Sequence, residues 1–389
     1  MPLDLAGLAR QIRQAAAEAA GAEDELRRRV DAAVHELRTQ DPAALVDRVE
    51  RRPSPPWLAG VPTEPLAEVH PAPAPPADYV VVSADGSHVD QDHHAALPCW
   101  VVNVGVATIR YGREPSATLE TRSVLGYRPD DLWFVHDDRR IRVEGQLLNV
   151  RRQVAEIAAL AELCEANPGA IALVDGTLLL TSISRAIQPE PTHFLREYLG
   201  HLGRIRASGS LVASYISRPG AGDVVGALRF GCCSLTACDR ACRIGAAGDR
   251  PCARLADLPD RLIFDQLGLD AGARSGIWRS TWPTSRDHYG EHAVHFFYVD
   301  AGPEIARVEL PAWVAADRAA LDRLHAVLVA QSAKGDDGYP RALIEAHHKA
   351  VITAGDRRAL DALLDDALAG RGYRSLASAK ERAKRRRAV

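Results

Sequence analysis

The chain has 389 residues, 47% of them hydrophobic and 25% charged, the balance of a globular protein rather than a disordered or fibrous one. Its net charge of −3 excludes a global basic field that would by itself announce nucleic acid. No window approaches the ~18 uncharged apolar residues of a spanning helix, and the N-terminal MPLDLAGLARQIRQ lacks the apolar core of a signal peptide, so a cytoplasmic protein with no membrane partner is expected.

From Leu5 to Val49 the chain is rich in Ala, Arg and Glu, and Leu26, Val30, Val34 and Leu37 recur on one helical face. Nine prolines between Pro53 and Pro76 remove backbone donors and fix φ, which excludes regular structure there. Tyr79–Ala84 then reads as a strand, followed by two more in CWVVNVGVATIRYG and ATLETRSVLGY with a turn at Gly112. A helix over about Leu147–Ala166 ends at Asn-Pro-Gly. Ile171–Val174 is wholly apolar, as a buried strand is. Helix Pro191–Ala207, strand Ser210–Ile216 and helix Ala221–Phe230 continue an alternating pattern. Strands near His292–Val299 and Ile305–Leu310 precede three helices, about Ala316–Gln331, Pro340–Thr353 and Arg357–Ala369. Three antiparallel strands, a helix and a buried strand form the order of a ribonuclease H-like core, an α/β fold with a mixed sheet flanked by helices.

Two strands lead into Asp-Gly: VVVSADGSH at Asp85 and IALVDGTLLL at Asp175. A single Asp-Gly is accounted for by a tight turn. Two of them, each after an apolar run, suit carboxylates that hold a hard divalent cation at a rigid strand end. A third acid is expected from the preceding helix, where Glu144, Glu156, Glu162 and Glu165 are candidates. At ~100° per residue, Val150, Val154, Ile157 and Ala161 form the buried stripe. Glu156 falls beside it with Leu160 and Leu163, whereas Glu162 and Glu165 turn toward solvent. A metal would relieve the cost of burying Glu156; an i,i+4 pair with Arg152 is the alternative. In GYPRALIEAHHKAVIT, Pro340 suits a first helical turn. His347 then shares a face with Leu343 and Ala350, while His348 points to solvent; a core role for His347 and Tyr339 stays open on this reading.

Together these stretches resemble the NurA nuclease family. The resemblance is carried by ADGSH, VRRQVAEIAAL, ALVDGTLLL, SYISRP, FFYVDAG…IARVELPAWV and GYPRALIEAHHKAVIT, in the family's order from Tyr79 to about Leu360. It implies a ribonuclease H-like fold, a homodimer, and Mn²⁺- or Mg²⁺-dependent 5′→3′ exonuclease and single-strand endonuclease activity on DNA. It also implies DNA end resection for double-strand break repair with a HerA-type hexameric ATPase. Carried over residue by residue, Asp85, Glu156 and Asp175 match the family's acids, and Tyr339 and His347 match its C-terminal Tyr and His. The implied catalytic set is these five, with Asp85, Glu156, Asp175 and His347 as metal ligands. Arg218, after LVASYIS, is a candidate phosphate contact because its fork matches phosphate oxygens. His88, Asp90, Asp92, His93 and His94 fit a solvated turn after the Asp85 strand, with His94 the candidate among them to touch phosphate.

Five of the seven cysteines cluster at Cys232, Cys233, Cys238, Cys242 and Cys252. In a reducing compartment such a cluster points to metal before disulfide. Cys233, Cys238, Cys242 and Cys252 are candidate ligands of a Zn²⁺ ion or an iron–sulfur cluster; free thiols are the alternative. The expected organisation is an N-terminal helical region (1–52), a proline-rich linker (53–77), a NurA-type nuclease domain (78–370) with a Cys-rich insertion at about 231–253, and a basic tail (371–389) containing KERAKRRR. The competing reading is a non-catalytic DNA-binding or ATPase-adaptor subunit on the same fold; an enzyme acting on RNA is a third.

Overall fold

The structure, a computed structural model, describes residues 3–51, 57–91, 97–136, 139–180, 192–233 and 251–371. Asp92, His93, His94, Cys238, Cys242 and the tail from 372 lie outside them. Strands are numbered in chain order: β1 Val61–Pro62, β2 Val69–His70, β3 Tyr79–Val89, β4 Trp100–Tyr111, β5 Ser116–Gly126, β6 Trp133–His136, β7 Arg139–Arg142, β8 Ile171–Asp175, β9 Leu211–Ile216, β10 Arg274–Ser275, β11 Trp278–Arg279, β12 Val294–Asp300 and β13 Ile305–Pro311. The helices of eight residues or more are α1 Leu5–Thr39, α2 Pro42–Glu50, α3 Gln146–Ala166, α4 Thr192–Ala207, α5 Asp223–Gly231, α6 Asp260–Leu267, α7 Arg318–Ser332, α8 Arg341–Ala350 and α9 Ala354–Ala369. The chain divides into two units. One comprises Met1–Ala72, Ile216–Arg286 and Ala293–Val308; the other comprises Pro73–Tyr215, Asp287–His292 and Glu309–Val389.

In the second unit the strands run in the order β9-β8-β3-β4-β5. β3, β4 and β5 are antiparallel neighbours, and β8 joins parallel to β3 and to β9. The hydrophobic pattern dictates this placement. Ile171, Ala172, Leu173 and Val174 are all buried, as a strand covered on both faces must be. β5, by contrast, is exposed over most of its length at the sheet's edge. α3 buries Val150, Val154, Ile157 and Ala161, the stripe its 3.6-residue period predicts. The order, three antiparallel strands, a helix and a parallel strand, is ribonuclease H-like.

The first unit has its own core. Val30, Ala33, Val34 and Leu37 of α1 and Leu45 and Val49 of α2 are buried with Val224, Leu228 and Phe230 of α5, Ile263 and Phe264 of α6, and Phe296 and Tyr298 of β12. The apolar stripe of α1 therefore covers the unit's own core, with only Leu26 left exposed. Asp4 and Asp41 cap α1 and α2 through their side chains. The proline-rich segment departs from expectation: β1 pairs with β11 and β2 with β10. Two-residue pairings of this kind need few backbone donors, so the prolines permit them while excluding a longer strand.

Candidate active site

β3 presents two sets of side chains. Ser83, Asp85 and Ser87 alternate onto one face, and all three meet α8. Ser83 Oγ donates to Ala342 O at 2.5 Å, Ser87 Oγ donates to Ala350 O, and Asp85 Oδ2 lies 2.7 Å from His347 Nδ1. The helix can approach so closely because the residue opposite Asp85 on β4 is Gly105. A Cβ there would overlap the backbone of Ala346, Lys349 and Ala350. The last carbonyls of α8 have no intrahelical donors, and the sheet supplies them: Asn103 Nδ2 donates to Ala350 O (2.8 Å) and Thr121 Oγ1 to Lys349 O (3.1 Å).

The neighbouring residue, Gly86, belongs to the opposite face. A Cβ on it would overlap Glu156 Oε1 and come within 2.9 Å of Arg152 Cγ. This corrects one expectation. Asp85-Gly86 is not a strand exit: β3 continues to Val89, paired with β4 as far as Val101. Gly86 is extended rather than left-handed, and its missing side chain makes room for α3. The pairing with β8 does stop here, at Ala84 with Val174. Asp85 thus stands where the sheet opens between β3 and the end of β8.

Asp175 is the last residue of β8, and Gly176 follows with φ 81°, a turn that favours glycine. The turn is tied down from a distance. Gly176 N donates to Tyr215 O (3.0 Å), while Thr177 Oγ1 (2.6 Å) and Leu178 N (3.0 Å) donate to the buried Glu309 carboxylate. Tyr289 Oη accepts from Leu180 N at 2.8 Å and donates to Leu178 O at 3.1 Å. Tyr339 Oη donates to Asp175 Oδ1 at 2.5 Å, its ring set edge-on to Tyr215 at 5.3 Å.

Glu156 is buried and pairs with Arg152. Burial pushes its carboxyl up to about 8; Arg152 opposes that rise, and the charges of Asp85 and Asp175 add to it. Loss of water likewise raises Asp175, against the Tyr339 hydrogen bond and with the Asp85 charge. Tyr339 is held well above its ordinary value by burial and the Asp175 charge, so it keeps its proton and acts as a donor. Glu156 lies against Gly86, next to Asp85, and lines one small cavity with Asp175, so the three carboxylates repel one another.

Of the expected residues, the structure brings Asp85, Glu156, Asp175, Tyr339 and His347 together in the second unit. His347 does not face inward: its side chain is 57% exposed, and the buried face of α8 is Ala342, Leu343, Ala346 and Ala350. It reaches Asp85 from the margin of that face. Glu162 and Glu165 pair at the surface with Arg122 and Arg204. Arg218 belongs to the first unit, where it is exposed with φ 42° and its backbone N–H donates to Glu304. Cys233 and Cys252 are buried in the first unit, and Cys238 and Cys242 lie outside the described residues. Arg152, Gly105 and Glu309 were not among the expected site residues. The i,i+4 spacing signals the first; Glu309 acts across more than 130 positions, and no local pattern points to it.

Three mutually repelling carboxylates offer the hard oxygen donors that a divalent cation prefers, so the donor chemistry fits one. Among the described residues, however, no three His, Cys, Asp or Glu side chains are gathered tightly enough to hold an ion. Each carboxylate is engaged by an internal partner instead.

A mixed sheet of this strand order, with acids on its central strands and on the helix between them, defines a ribonuclease H-like protein. The NurA domain model matches residues 79–352, which is most of the chain and contains all five gathered residues. The chain belongs to the NurA family of nucleases. Among solved structures it is similar to the N-terminal RNase H domain of a Mycobacterium tuberculosis protein fused to maltose-binding protein (14% identity, 34% of this chain and 78% of that one, TM-score 0.19). It is also similar to Thermus thermophilus RuvC (15%, 49% and 96%, 0.17), and to LC9-RNase H1, a type 1 RNase H with the type 2 active-site motif (12%, 40% and 69%, 0.22). No curated protein matches the chain. No helix among the described residues is long and apolar enough to cross a membrane.

Proposed function

We propose that this nuclease hydrolyses DNA with a divalent cation, Mn²⁺ or Mg²⁺, at Asp85, Glu156 and Asp175, and that it processes DNA ends as a homodimer alongside a HerA-type hexameric ATPase. The observation that carries the reading is that Asp85 stands where β3 parts from β8, Asp175 ends β8, and Glu156 lies against Gly86 and lines one cavity with Asp175. The cation, bound by these acids with His347 at their edge, would supply the positive charge that activates water and stabilises the leaving oxygen. Asp85 is rigid because its strand is paired on both flanks up to that point. Tyr339 orients Asp175 by donating to one of its oxygens, and its high pKa keeps that donor in place. His347 engages Asp85 through Nδ1, and its other ring nitrogen would move a proton at the leaving oxygen. The 5′→3′ exonuclease and single-strand endonuclease modes and the role in end resection follow from family membership and belong to the same proposal. So does a Zn²⁺ or iron–sulfur site at the cysteine cluster, which metal analysis of the purified protein tests.

The decisive assay uses labelled single- and double-stranded DNA and RNA with EDTA, Mg²⁺ or Mn²⁺. Cleavage of DNA with metal, lost with EDTA and reduced at least ~100-fold in Asp85→Asn and Asp175→Asn, is expected, since each variant keeps the shape and removes a ligand charge. Near wild-type cleavage by either variant overturns the assignment. DNA binding without cleavage under any metal favours the non-catalytic adaptor, and preference for RNA redirects the substrate.

A further inference from the structure

Arg152 is fixed on more than one side. Its Nε and Nη2 donate to Asn149 Oδ1 at 3.2 and 2.7 Å, and its Nη1 donates to Gly86 O at 3.2 Å and to Glu156 Oε1. The Arg152–Glu156 pair fills the space left by the missing side chain of Gly86, immediately beside Asp85. We propose that Arg152 occupies Glu156 in the place of a divalent cation, and that loading the ion is an exchange in which Glu156 passes from the guanidinium to the cation. This rests on Asp85, Glu156 and Asp175 being the cation's ligands.

Three observations converge on the exchange. First, the three acids have different partners. Asp85 meets a histidine and Asp175 a tyrosine hydroxyl, donors that leave the carboxylate's charge available. Glu156 alone is met by a permanent cation. Second, Glu156 lies against Gly86, immediately beside Asp85, and lines one small cavity with Asp175. Third, Arg152 is held by Asn149 and by the Gly86 carbonyl as well as by Glu156. Arg152 does not need Glu156 for its position. Asn149 and the Gly86 carbonyl retain the guanidinium when the carboxylate leaves.

The test is Mn²⁺ binding by the full-length protein, followed by electron paramagnetic resonance, in wild type, Arg152→Gln and Arg152→Lys, with a crystal structure of the wild type grown with Mn²⁺. Arg152→Gln should bind Mn²⁺ about tenfold or more tightly, the gain expected when a competing ion pair is removed, and Arg152→Lys should stay near wild type. In the crystal, Glu156 should contact the ion while Arg152 remains on Asn149 and Gly86 O. Unchanged affinity in Arg152→Gln, or an Arg152–Glu156 pair that persists beside a bound ion, overturns the exchange. Failure of the underlying ligand assignment looks different, because Asp85→Asn would then bind Mn²⁺ as the wild type does. The crystal of the wild type decides the matter even if Arg152→Gln does not fold.

Discussion

His347 and His348 are adjacent and both exposed, yet only His347 touches Asp85, at 2.7 Å. Removing an imidazole that can move a proton typically costs a factor of 10²–10⁴. His347→Ala should therefore lower the cleavage rate on labelled single-stranded DNA about 100-fold, with His348→Ala close to wild type. Equal losses would mean that both changes act by loosening α8. Tyr339 and His347 became candidates only through the family resemblance, whereas residue types and spacings made Asp85 and Asp175 legible as candidates, because each follows an apolar run and precedes Gly. They did not reveal why Gly86 is glycine. Asp-Gly has a ready local explanation as a turn, and the competing one, the approach of Glu156 and Arg152, comes from 66 or more positions away.

At the level of elements, the site depends on how closely α8 lies on β4. Gly105→Ala should destabilise the protein by about 1–3 kcal/mol or more, the cost of overpacking where backbone cannot yield, and should reduce cleavage by carrying His347 away from Asp85. A thermal melt and a rate measurement check both, and a variant as stable as wild type would show that the helix can shift freely. In the first unit the corresponding sensitivity is to pH. Asp260 is fully buried and accepts from Val224 N, Val225 N and Tyr298 Oη at 3.0, 2.8 and 2.7 Å. Burial, then the Asp223 charge, outweighs these donors and raises its carboxyl to about 7. The folded state then binds a proton that the unfolded state has released, so this group's contribution to stability declines as pH rises from about 4 through about 7. Melting temperatures measured across that window should fall less steeply with pH in Asp260→Asn than in wild type, whatever the constant offset between them; parallel curves would exclude the coupling. Helix and strand positions along most of the chain were readable from period and breakers, since amphipathic helices and apolar runs carry their own signal. The β6–β7 hairpin and α6 were not read, and the two-residue strands β10 and β11 carry too little local signal because their partners β2 and β1 are distant in sequence.

For the whole molecule, the informative question is what residues 1–52 do. An apolar stripe such as Leu26, Val30, Val34 and Leu37 must be buried by something: the protein itself, a second subunit or an ATPase. In the structure Val30, Ala33, Val34, Leu37, Leu45 and Val49 are buried in the core of the first unit. At ~1.5–3 kcal/mol for burying a large aliphatic side chain, the five larger residues contribute on the order of 10 kcal/mol, an upper figure because unfolded chains already hide some of this surface. That is comparable with the entire stability of an ordinary domain, about 5–15 kcal/mol. Deleting residues 1–52 should therefore unfold or aggregate the first unit rather than yield a tidy protein that lacks only a partner. The buried aromatics of that unit, Phe230, Phe264, Phe296 and Tyr298, would become reachable by a hydrophobic dye. Point changes separate this role from docking. Leu37→Ala should cost about 2–5 kcal/mol in a melt, whereas substitutions at exposed Leu5, Leu8 and Ile12 should leave melting unchanged. A truncated protein that remains folded and melts as the full chain does would show that the helices are dispensable to the core, and the docking role for the stripe would have to be taken up again.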